Sequence, residues 1–477
     1  MRKLIVLVLA ALGLLLVASA APALASAKTF SVHPSGGDDT ANIQAAFNAA
    51  VKAGPGSTVQ LSAGHFYTNN IVVKNFDGSF RGAGEGRTTI DCLRGLDPSL
   101  PGATEVGNPG FWLCLFLFKG GNLRASDMSF DITAASPAET WNNHGSPADF
   151  LGCMVGVLGN ASSSFQRVSF TAGAGNDNGF NADEGLYISG IAPLDANDNP
   201  ITFESTTGVD SVCGCSFSGH DGMEVNGLTA GRLTVSGNTF DEWNQCCLVD
   251  DAAAGSAVEI SHNQMQASLW ANVILDQGWM AGGGAGAPLP PLPAPHFLIS
   301  DNRMLATGYA AGVQVEDDSF FYDEAPYRLD AIIANNTIHL DNDGNDGGID
   351  GVWAQGIWVL HNQISGVGLA GIYVGCGVPV WGLPSGPDSG WKIVGNDVSR
   401  ATATGVQFGG LSTAQIWLGP DADHCLVVGG CRPTTVLDQG TKDILINVTK
   451  PADPPVAAAT PMNPLKQMTQ LKGMMLP

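Results

Sequence analysis

The sequence has little positive charge and few charged residues of any kind. Its 477 residues include 21 Lys and Arg against 44 Asp and Glu, which gives a formal net charge of −23, and only 14% of the residues are charged. Binding to nucleic acid requires clustered Lys and Arg, so this composition argues against a nucleic-acid partner. It also disfavours a strongly anionic polysaccharide, unless a divalent cation bridges the sugar to the protein.

Long apolar runs are missing beyond the N-terminus. Arg2 and Lys3 precede an apolar run from Leu4 to Val17, and a stretch of small residues follows from Ala23 to Ala27. This is the layout of a cleavable secretory signal, and the run is shorter than the ~20 residues that a membrane span requires. We therefore expect a signal peptide over residues 1–27, secretion, and no membrane association after cleavage; an uncleaved anchor is the alternative.

No His and Cys spacing typical of a zinc site is present. The ten cysteines of an exported chain could form up to five disulfides, but their pairing does not follow from the sequence. Cys425 and Cys431 could close a short loop, and Cys92 and Cys114 a longer one. Four more could instead be free thiols buried along a core: Cys213, Cys215, Cys246 and Cys247.

One short pattern recurs along the chain: a β-rich stretch, then Asn, then a small or polar residue, then an apolar one. About ten residues after most of these Asn positions comes a second short strand with two inward apolar residues, such as Val273 and Leu275. Steps between the Asn positions are 25, 39, 34, 26 and 34 residues. The Asn positions are Asn238, Asn263, Asn302, Asn336, Asn362 and Asn396.

Short strands that repeat without intervening helices predict a solenoid in which each coil pairs in parallel with its neighbours. A β-propeller is the alternative, but its blades of ~40 residues are longer than the shortest steps here. We expect the Asn column to be structural, because Asn tolerates the left-handed conformation of a tight turn and its amides can hydrogen-bond from coil to coil.

The N-terminal region runs from Gly36-Gly37-Asp38-Asp39-Thr40 through Gly56-Ser57-Thr58 to Arg81-Gly82-Ala83-Gly84. It resembles the entrance of the pectate-lyase-like superfamily, which implies an all-β, single-stranded, right-handed parallel β-helix of roughly ten coils with a short capping helix. Ile43, Phe47 and Ala50 would form the apolar face of that helix, and Asp39 or Thr40 would cap it.

This superfamily includes lyases, polygalacturonase-like hydrolases, epimerases and adhesion proteins, so the resemblance alone leaves the function open. Gly219-His220-Asp221-Gly222 and the pair Asp250-Asp251 resemble the acidic elements of polygalacturonase-like hydrolases. The Gly-His-Gly and Arg-Ile-Lys elements of those hydrolases are missing, as is the Arg base of a pectate lyase.

Polar residues follow the second strand of successive coils: Asn226, Asp250, Asp276 and Glu316, with Glu224 one outward position earlier. Stacked coils would place neighbouring carboxylates about 5 Å apart, which suits acid and base roles in sugar hydrolysis or a calcium ion. The expected catalytic residues are Asp250 with Asp276 or Glu316, assisted by His220 or Asp221. A solvated acidic face without catalytic function is the alternative.

Three long loops follow the same strand, at 277–296, 317–330 and 376–391. Their aromatic residues could contact the ring faces of a sugar or merely pack the loops onto the solenoid. The expected substrate-binding residues are Trp279, Tyr322, Trp381 and Trp391.

The segment 341–350 has oxygen donors at alternating positions, as in a calcium-binding turn, although it lacks the Gly and Glu of an EF-hand. The expected calcium ligands are Asp341, Asp343, Asn345 and Asp350. A plain polar turn is the alternative.

Taken together, the sequence predicts a β-helix over 28–450 and a flexible tail rich in Pro and Met over 451–477. The function that best fits is a secreted polysaccharide-degrading hydrolase or lyase. A non-catalytic extracellular glycan-binding or adhesion protein is the alternative, and the oligomeric state is left open.

Overall fold

A computed structural model describes residues 27–92, 114–133, 151–159, 162–172, 182–188, 208–226, 228, 231–250, 252, 255–277, 296–317, 329–342, 346–375, 388–403, 414–430 and 432–450. One helix, α1 (Thr40–Ala53), lies near the N-terminus of this part of the chain. No helix among the described residues is long and apolar enough to cross a membrane.

The rest of the regular structure is β. The strands of the first half are β1 (Thr29–Val32), β2 (Ser57–Leu61), β3 (Gly64–Thr68), β4 (Ile71–Arg81), β5 (Thr88–Cys92), β6 (Cys114–Asp131), β7 (Leu151–Leu158), β8 (Ser162–Thr171), β9 (Ala182–Ile188), β10 (Val209–Cys213), β11 (Ser216–Asn226), β12 (Arg232–Ser236) and β13 (Thr239–Asp250).

The strands of the second half are β14 (Ala257–Ser261), β15 (Gln264–Ala267), β16 (Ala271–Gln277), β17 (His296–Ser300), β18 (Arg303–Gly308), β19 (Ala311–Asp317), β20 (Asp330–Ala334), β21 (Thr337–Asn342), β22 (Ile349–Val352), β23 (Trp358–Leu360), β24 (Gln363–Gly368), β25 (Ile372–Val374), β26 (Asp388–Ser389), β27 (Lys392–Val394), β28 (Asp397–Ala403), β29 (Ile416–Leu418), β30 (Ala422–Asp423), β31 (Leu426–Val428), β32 (Val436–Asp438) and β33 (Ile444–Ile446).

Apart from the short pair of β26 and β30, these strands stack into three parallel ladders around one core. Ladder 1 contains the strand before each Asn and includes β12, β14, β17, β20 and β23. Ladder 2 contains the strand after each Asn, including β15, β18, β21 and β24. Ladder 3 contains the second strand of the sequence repeat: the start of β6, then β7, β9, the C-terminal halves of β11 and β13, and β16, β19, β22 and β25.

The chain is therefore a right-handed parallel β-helix, and the β-propeller alternative is wrong because neighbouring coils pair in parallel. One interior column repeats Phe on four consecutive coils. In ladder 2 the rings of Phe130, Phe170, Phe217 and Phe240 stack nearly parallel, with centroids 5.4, 4.8 and 4.6 Å apart. Such stacks of buried rings supply apolar burial and a small additional ring attraction.

Helix α1 covers the N-terminal end of the core, as predicted. Ile43, Phe47 and Ala50 are buried, and the ring of Phe47 lies 5.0 Å from that of Phe80 and 5.6 Å from that of Phe118. The predicted cap is wrong in detail: Asp39 occupies the N-cap position without a side-chain hydrogen bond into the helix. Its carboxylate instead accepts the backbone N–H of Ser35 at 2.8 Å.

The Asn column forms a continuous buried hydrogen-bond ladder, as predicted. In each step the backbone N–H and the side-chain amide of one Asn both donate to the Oδ1 of the Asn on the next coil, at 2.9–3.0 Å. The same amide also donates to a ladder 1 carbonyl, for example from Asn302 to Ile260 at 2.8 Å.

The predicted reason for Asn at this position is only partly correct. The left-handed conformation belongs to the residue before each Asn, such as His262 (φ 59°), Asp301 (φ 57°) and Asn335 (φ 58°), and not to the Asn itself. Asn is required at the column for its amide, which joins neighbouring coils, while the preceding residue makes the turn.

The structure has no disulfide among the cysteines that it describes, and most of these cysteines are buried. Cys215, Cys246 and Cys247 lie in the main core, which matches the buried-thiol alternative for these residues. Cys92 and Cys114 are separate buried thiols. Cys431 lies outside the described residues, so the Cys425–Cys431 pairing stays a prediction.

Candidate functional site

The candidate site lies along ladder 3, where carboxylates from successive coils are in register. Asn226 is paired with Asp250, Asp250 with Asp276, and Asp276 with Glu316. The alignment predicted from the sequence is therefore confirmed across the inserted loops. The buried residues one position earlier, Val249 and Leu275, point into the core, so the acids point to the outside of the coil.

A second outward column lies two residues earlier in the same strands. Glu224 opposes Leu248, Leu248 opposes Ile274, and Gln314 opposes Asp350. The Gln314 amide donates to Glu316 Oε2 at 2.9 Å, so the two columns are joined at this coil.

A third column, at the start of the ladder 3 strands, places Glu184 opposite Asp221. We call the carboxylates of these three columns the acidic face: Glu184, Asp221, Glu224, Asp250, Asp276, Glu316 and Asp350.

The acidic face is not a freely solvated surface. Asp250 and Asp276 are each only 5% exposed, and Glu184 is 2% exposed. Burying several ionisable groups together is costly unless they are paired or neutralised. A plain solvated face would leave such groups in water, so that alternative does not fit these residues.

Burial shifts the protonation of the acidic face at its C-terminal end. Desolvation raises the pKa of Glu316 to about 7, although the Gln314 hydrogen bond opposes the shift. It also raises the pKa of Asp350 to about 7, against the hydrogen bond from the backbone N–H of Gly347. Burial, followed by the charges of Asp350 and Glu316, raises the pKa of nearby Asp346 well above its usual range. Near neutral pH this end of the face therefore holds protons that it can donate.

His220 and Asp221, predicted as assisting residues, form a buried pair on β11. His220 Nδ1 lies 3.0 Å from Asp221 Oδ2, and Asp221 Oδ1 accepts the backbone N–H of Gln245 at 3.1 Å. The ring of Trp243 lies 5.1 Å from that of His220. These contacts fix the imidazole on the coil that precedes Asp250, toward the beginning of the ladder 3 strands.

Glu242 is a buried acid beside this pair that sequence reasoning missed. It is 3% exposed and, with Asp221 and Gly219, lines a cavity of about 10 Å³ whose other walls include Phe170 and Phe217. That volume is close to the minimum that holds one water molecule. Burial, and then the charge of Asp221, raises the pKa of Glu242 well above its usual range.

Several buried acids have a higher pKa in the folded protein than in the unfolded chain, so they take up protons on folding. The free energy of unfolding should therefore fall as pH rises. Burial raises the pKa of Asp210 to about 6 and of Asp388 to about 7, as it does for Glu316 and Asp350. An acid with a raised folded pKa contributes stability that is fully present below its unfolded pKa and is lost by its folded pKa. We expect at least about 3 kcal/mol of loss between pH 4.5 and pH 7.5, measured by urea unfolding across this range.

The Glu242→Gln variant removes one of the buried carboxyl groups that take up a proton on folding. The variant should be as stable as the unchanged protein at pH 4.5 and more stable at pH 7.5, with a pH slope smaller by up to about 1.4 kcal/mol per pH unit. Glu259→Gln, at a half-exposed acid that lies 3.3 Å from Arg232, is the matched control and should leave the slope unchanged. A free energy of unfolding that rises with pH in the unchanged protein would contradict this account.

The predicted calcium turn is only partly described. Asp341 lies next to the last position of β21 with an exposed side chain. Asp350 Oδ2 accepts the backbone N–H of Gly347 at 2.8 Å. Asp343 and Asn345 lie outside the described residues. Within the described ranges, no three His, Cys, Asp or Glu side chains are grouped closely enough to hold a metal ion. Calcium binding at this turn stays a prediction.

The predicted sugar-binding aromatics are mostly outside the described residues, including Trp279, Tyr322 and Trp381. Trp391 is described, and its predicted role is wrong. Its side chain is fully buried in the core, and its indole N–H donates to the Ala354 carbonyl at 2.9 Å. An indole enclosed by the solenoid cannot stack on a sugar at the surface.

Glu184 was also missed by sequence reasoning. It opposes Asp221 in ladder 3, but it belongs to an early coil without the Asn signature, and the inserted segment 189–207 hides its register. For Glu242 the available signal was a charged residue at an inward position of β13, two residues after Phe240.

No protein-family model matches the sequence, and no curated protein matches it. Similar solved structures include the A-module of a mannuronan C-5 epimerase from Azotobacter vinelandii (14% identity, TM-score 0.42, 88% of this chain and 96% of that one). A polygalacturonase from Erwinia carotovora is similar with 11% identity and a TM-score of 0.43, over 90% of this chain and 98% of that one. The surface protein and adhesin PfbA of Streptococcus pneumoniae is similar with 12% identity and a TM-score of 0.44, over 88% of this chain and 99% of that one.

These likenesses concern the fold and carry no argument about activity. The parallel coils show that the fold of this chain is a right-handed parallel β-helix.

Proposed function

We propose that this protein is an exported polysaccharide hydrolase that cleaves glycosidic bonds at the acidic face. The observation that carries the proposal is the register of Asp250, Asp276 and Glu316 on three consecutive coils, together with the pKa of about 7 that burial gives Glu316. Glycoside hydrolysis requires one protonated and one ionised carboxyl group at a defined separation, and this face contains candidates for both.

Glu316 is the proton donor of the proposed reaction. Burial raises the pKa of Glu316 to about 7, so this residue retains a proton at a pH where an ordinary carboxyl group has lost it. A donor whose pKa lies near the working pH is suited to protonate the leaving-group oxygen of a glycosidic bond. Gln314, which donates to Glu316 Oε2 at 2.9 Å, orients the carboxyl group and leaves the other oxygen to carry the proton.

Asp276 is the proposed partner of Glu316. Directly paired residues on neighbouring parallel strands lie about 4.8 Å apart, close to the ~5 Å carboxyl separation of enzymes that retain the anomeric configuration. Asp250 lies one coil further, about 10 Å from Glu316, near the separation of inverting enzymes. The proposal therefore favours retention, and the configuration of the first product distinguishes the two partners.

The elongated shape of the acidic face favours a polymeric substrate over a small molecule. Its residues extend from Glu184 on β9 to Asp350 on β22, across six successive ladder 3 strands. Coils stack about 4.8 Å apart, so the face is long enough for several sugar units. Glu184, Glu224 and the His220–Asp221 pair lie toward one end, where they could accept hydrogen bonds from sugar hydroxyls.

A glycan panel tests the proposed function. Purified protein is incubated with neutral and acidic plant and microbial polysaccharides, with calcium and with chelator, and each is assayed for new reducing ends and for retention of the protein. We expect cleavage of at least one polysaccharide. Retention without cleavage would favour the adhesion alternative, and products with an unsaturated chain end would replace hydrolysis by elimination.

Export is tested separately from activity. N-terminal sequencing of the protein recovered from the culture medium or periplasm of an expressing bacterium should show a start between residues 26 and 28. Recovery only as the full-length intracellular chain would contradict export, and it would leave the proposed activity untouched.

A further inference from the structure

Two cysteines meet on neighbouring coils beside the acidic face. Cys114 at the start of β6 is the direct partner of Cys153 in β7. Both are buried, at 2% and 0% exposure, in a small outer cluster with Leu117, Leu158 and Tyr187 that is separate from the main core. They occupy the same column as Glu184, which is paired with Cys153 on its other side.

The two sulfur atoms converge on the space above Gly156. A Cβ atom built on that glycine would lie 2.7 Å from Cys114 Sγ and 3.4 Å from Cys153 Sγ. Both sulfurs are thus near one point, and any side chain at residue 156 would displace them. Gly156 is paired with Leu117 and Tyr187 on its two sides, so this gap lies in the outward column of ladder 3.

We propose that Cys114 and Cys153 form a disulfide that links two coils next to the acidic face. Directly paired residues in parallel strands are about 4.8 Å apart, within the Cα separation of 4.4–6.8 Å, roughly, that disulfides span. This pairing differs from both pairings that the sequence suggested.

The reaction is a thiol–disulfide exchange with an oxidised glutathione or the disulfide of an oxidoreductase. The thiolate of one cysteine attacks the acceptor disulfide, forming a mixed disulfide and releasing one thiol. The second thiolate then attacks the mixed disulfide, forming the Cys114–Cys153 bond and releasing the second thiol. The two cysteines lose two electrons and two protons, and the acceptor gains both.

The exchange takes place before the two coils close. Once folded, burial raises the pKa of the Cys153 thiol well above its usual range, and contact with Cys114 raises it further. A protonated, enclosed thiol is a poor nucleophile and is poorly reached by reagents. The disulfide therefore forms during folding and then resists reduction until the protein unfolds.

Peptide mapping tests the pairing directly. The full chain is exported or refolded with oxidised and reduced glutathione, unfolded in guanidinium with an alkylating maleimide, digested and analysed by mass spectrometry. We expect the peptide with Cys114 linked to the peptide with Cys153, and alkylation of both only after reduction. Alkylation of both without reduction, or a link from Cys114 to Cys92, would overturn the proposal.

Stability under reducing conditions is a second readout. Refolding with reductant should lower the midpoint of thermal unfolding by about 3–6 °C, and the Cys114→Ala/Cys153→Ala double variant should show no such dependence. Cys247→Ala is the matched control, because Cys247 is equally buried but lies in the main core; it should keep the dependence on reductant. A shift that persists in the double variant would contradict the assignment.

Discussion

Replacing Glu316 by Gln is expected to lower the rate of polysaccharide cleavage by about 10²- to 10⁴-fold, the usual contribution of a general acid. Gln keeps the size of the side chain and can still contact Gln314, but it cannot donate a proton to the leaving oxygen. Affinity for the polysaccharide should be unchanged, since the amide fills the same space. The measurement is the rate of reducing-end formation on the polysaccharide that the panel identifies, with retention on the same polymer measured in parallel.

Two further observations distinguish a catalytic Glu316 from a structural one. The cleavage rate of the unchanged protein should fall as pH rises through about 7, where Glu316 loses its proton. Glu259→Gln serves as the matched control, because this acid lies on ladder 1, away from the acidic face, and its change should leave the rate unaltered. A Glu316→Gln protein that cleaves at the normal rate would exclude Glu316 as the proton donor.

Replacing Asn302 by Ala is expected to lower the free energy of unfolding by about 3–5 kcal/mol. Asn302 Oδ1 accepts the backbone N–H and the amide of Asn263, and its own amide donates to Ile260 and Asn336. Alanine removes these side-chain bonds, so the buried backbone N–H of Asn263 and the carbonyl of Ile260 lose these partners on the neighbouring coil. Urea unfolding followed by circular dichroism at pH 5 provides the measurement.

Asn335→Gly is the matched control for the Asn ladder. Asn335 is an exposed Asn one position before a ladder residue, and its φ of 58° lies in the left-handed region that glycine adopts without strain. We expect a change within about 1 kcal/mol of the unchanged protein. Equal losses for Asn302→Ala and Asn335→Gly would show that the turn, and not the amide ladder, holds the coils together.

The periodic features of this protein could be predicted because each coil repeats the same constraint. In each coil an Asn stands at a similar distance before two inward apolar residues. This spacing predicts the order of the ladders and the register of Asp250, Asp276 and Glu316. A one-residue slip would have turned every acid toward the core. The register survived the long insertions after ladder 3 because each new coil restarts with the same Asn.

The remaining features depend on contacts between coils that no local pattern reveals. Trp391 was placed in a surface loop from its position near an insertion, yet its indole packs inside the solenoid and donates to Ala354. Glu242 stands at an inward position, where an apolar residue would be expected. The strand partner of Cys114 could not be found from the sequence, because Cys153 belongs to an early coil in which Met128 stands at the Asn position.

The central claim, that the register of carboxylates on ladder 3 forms the catalytic centre, is tested most directly by a crystal structure of the Glu316→Gln protein with an oligosaccharide from the cleaved polymer. The account predicts a sugar chain along the acidic face, with a glycosidic oxygen within hydrogen-bond distance of residue 316 and the anomeric carbon facing Asp276. An oligosaccharide bound on another face, such as the exposed Leu298, Ile332 and Trp358 of ladder 1, would contradict it.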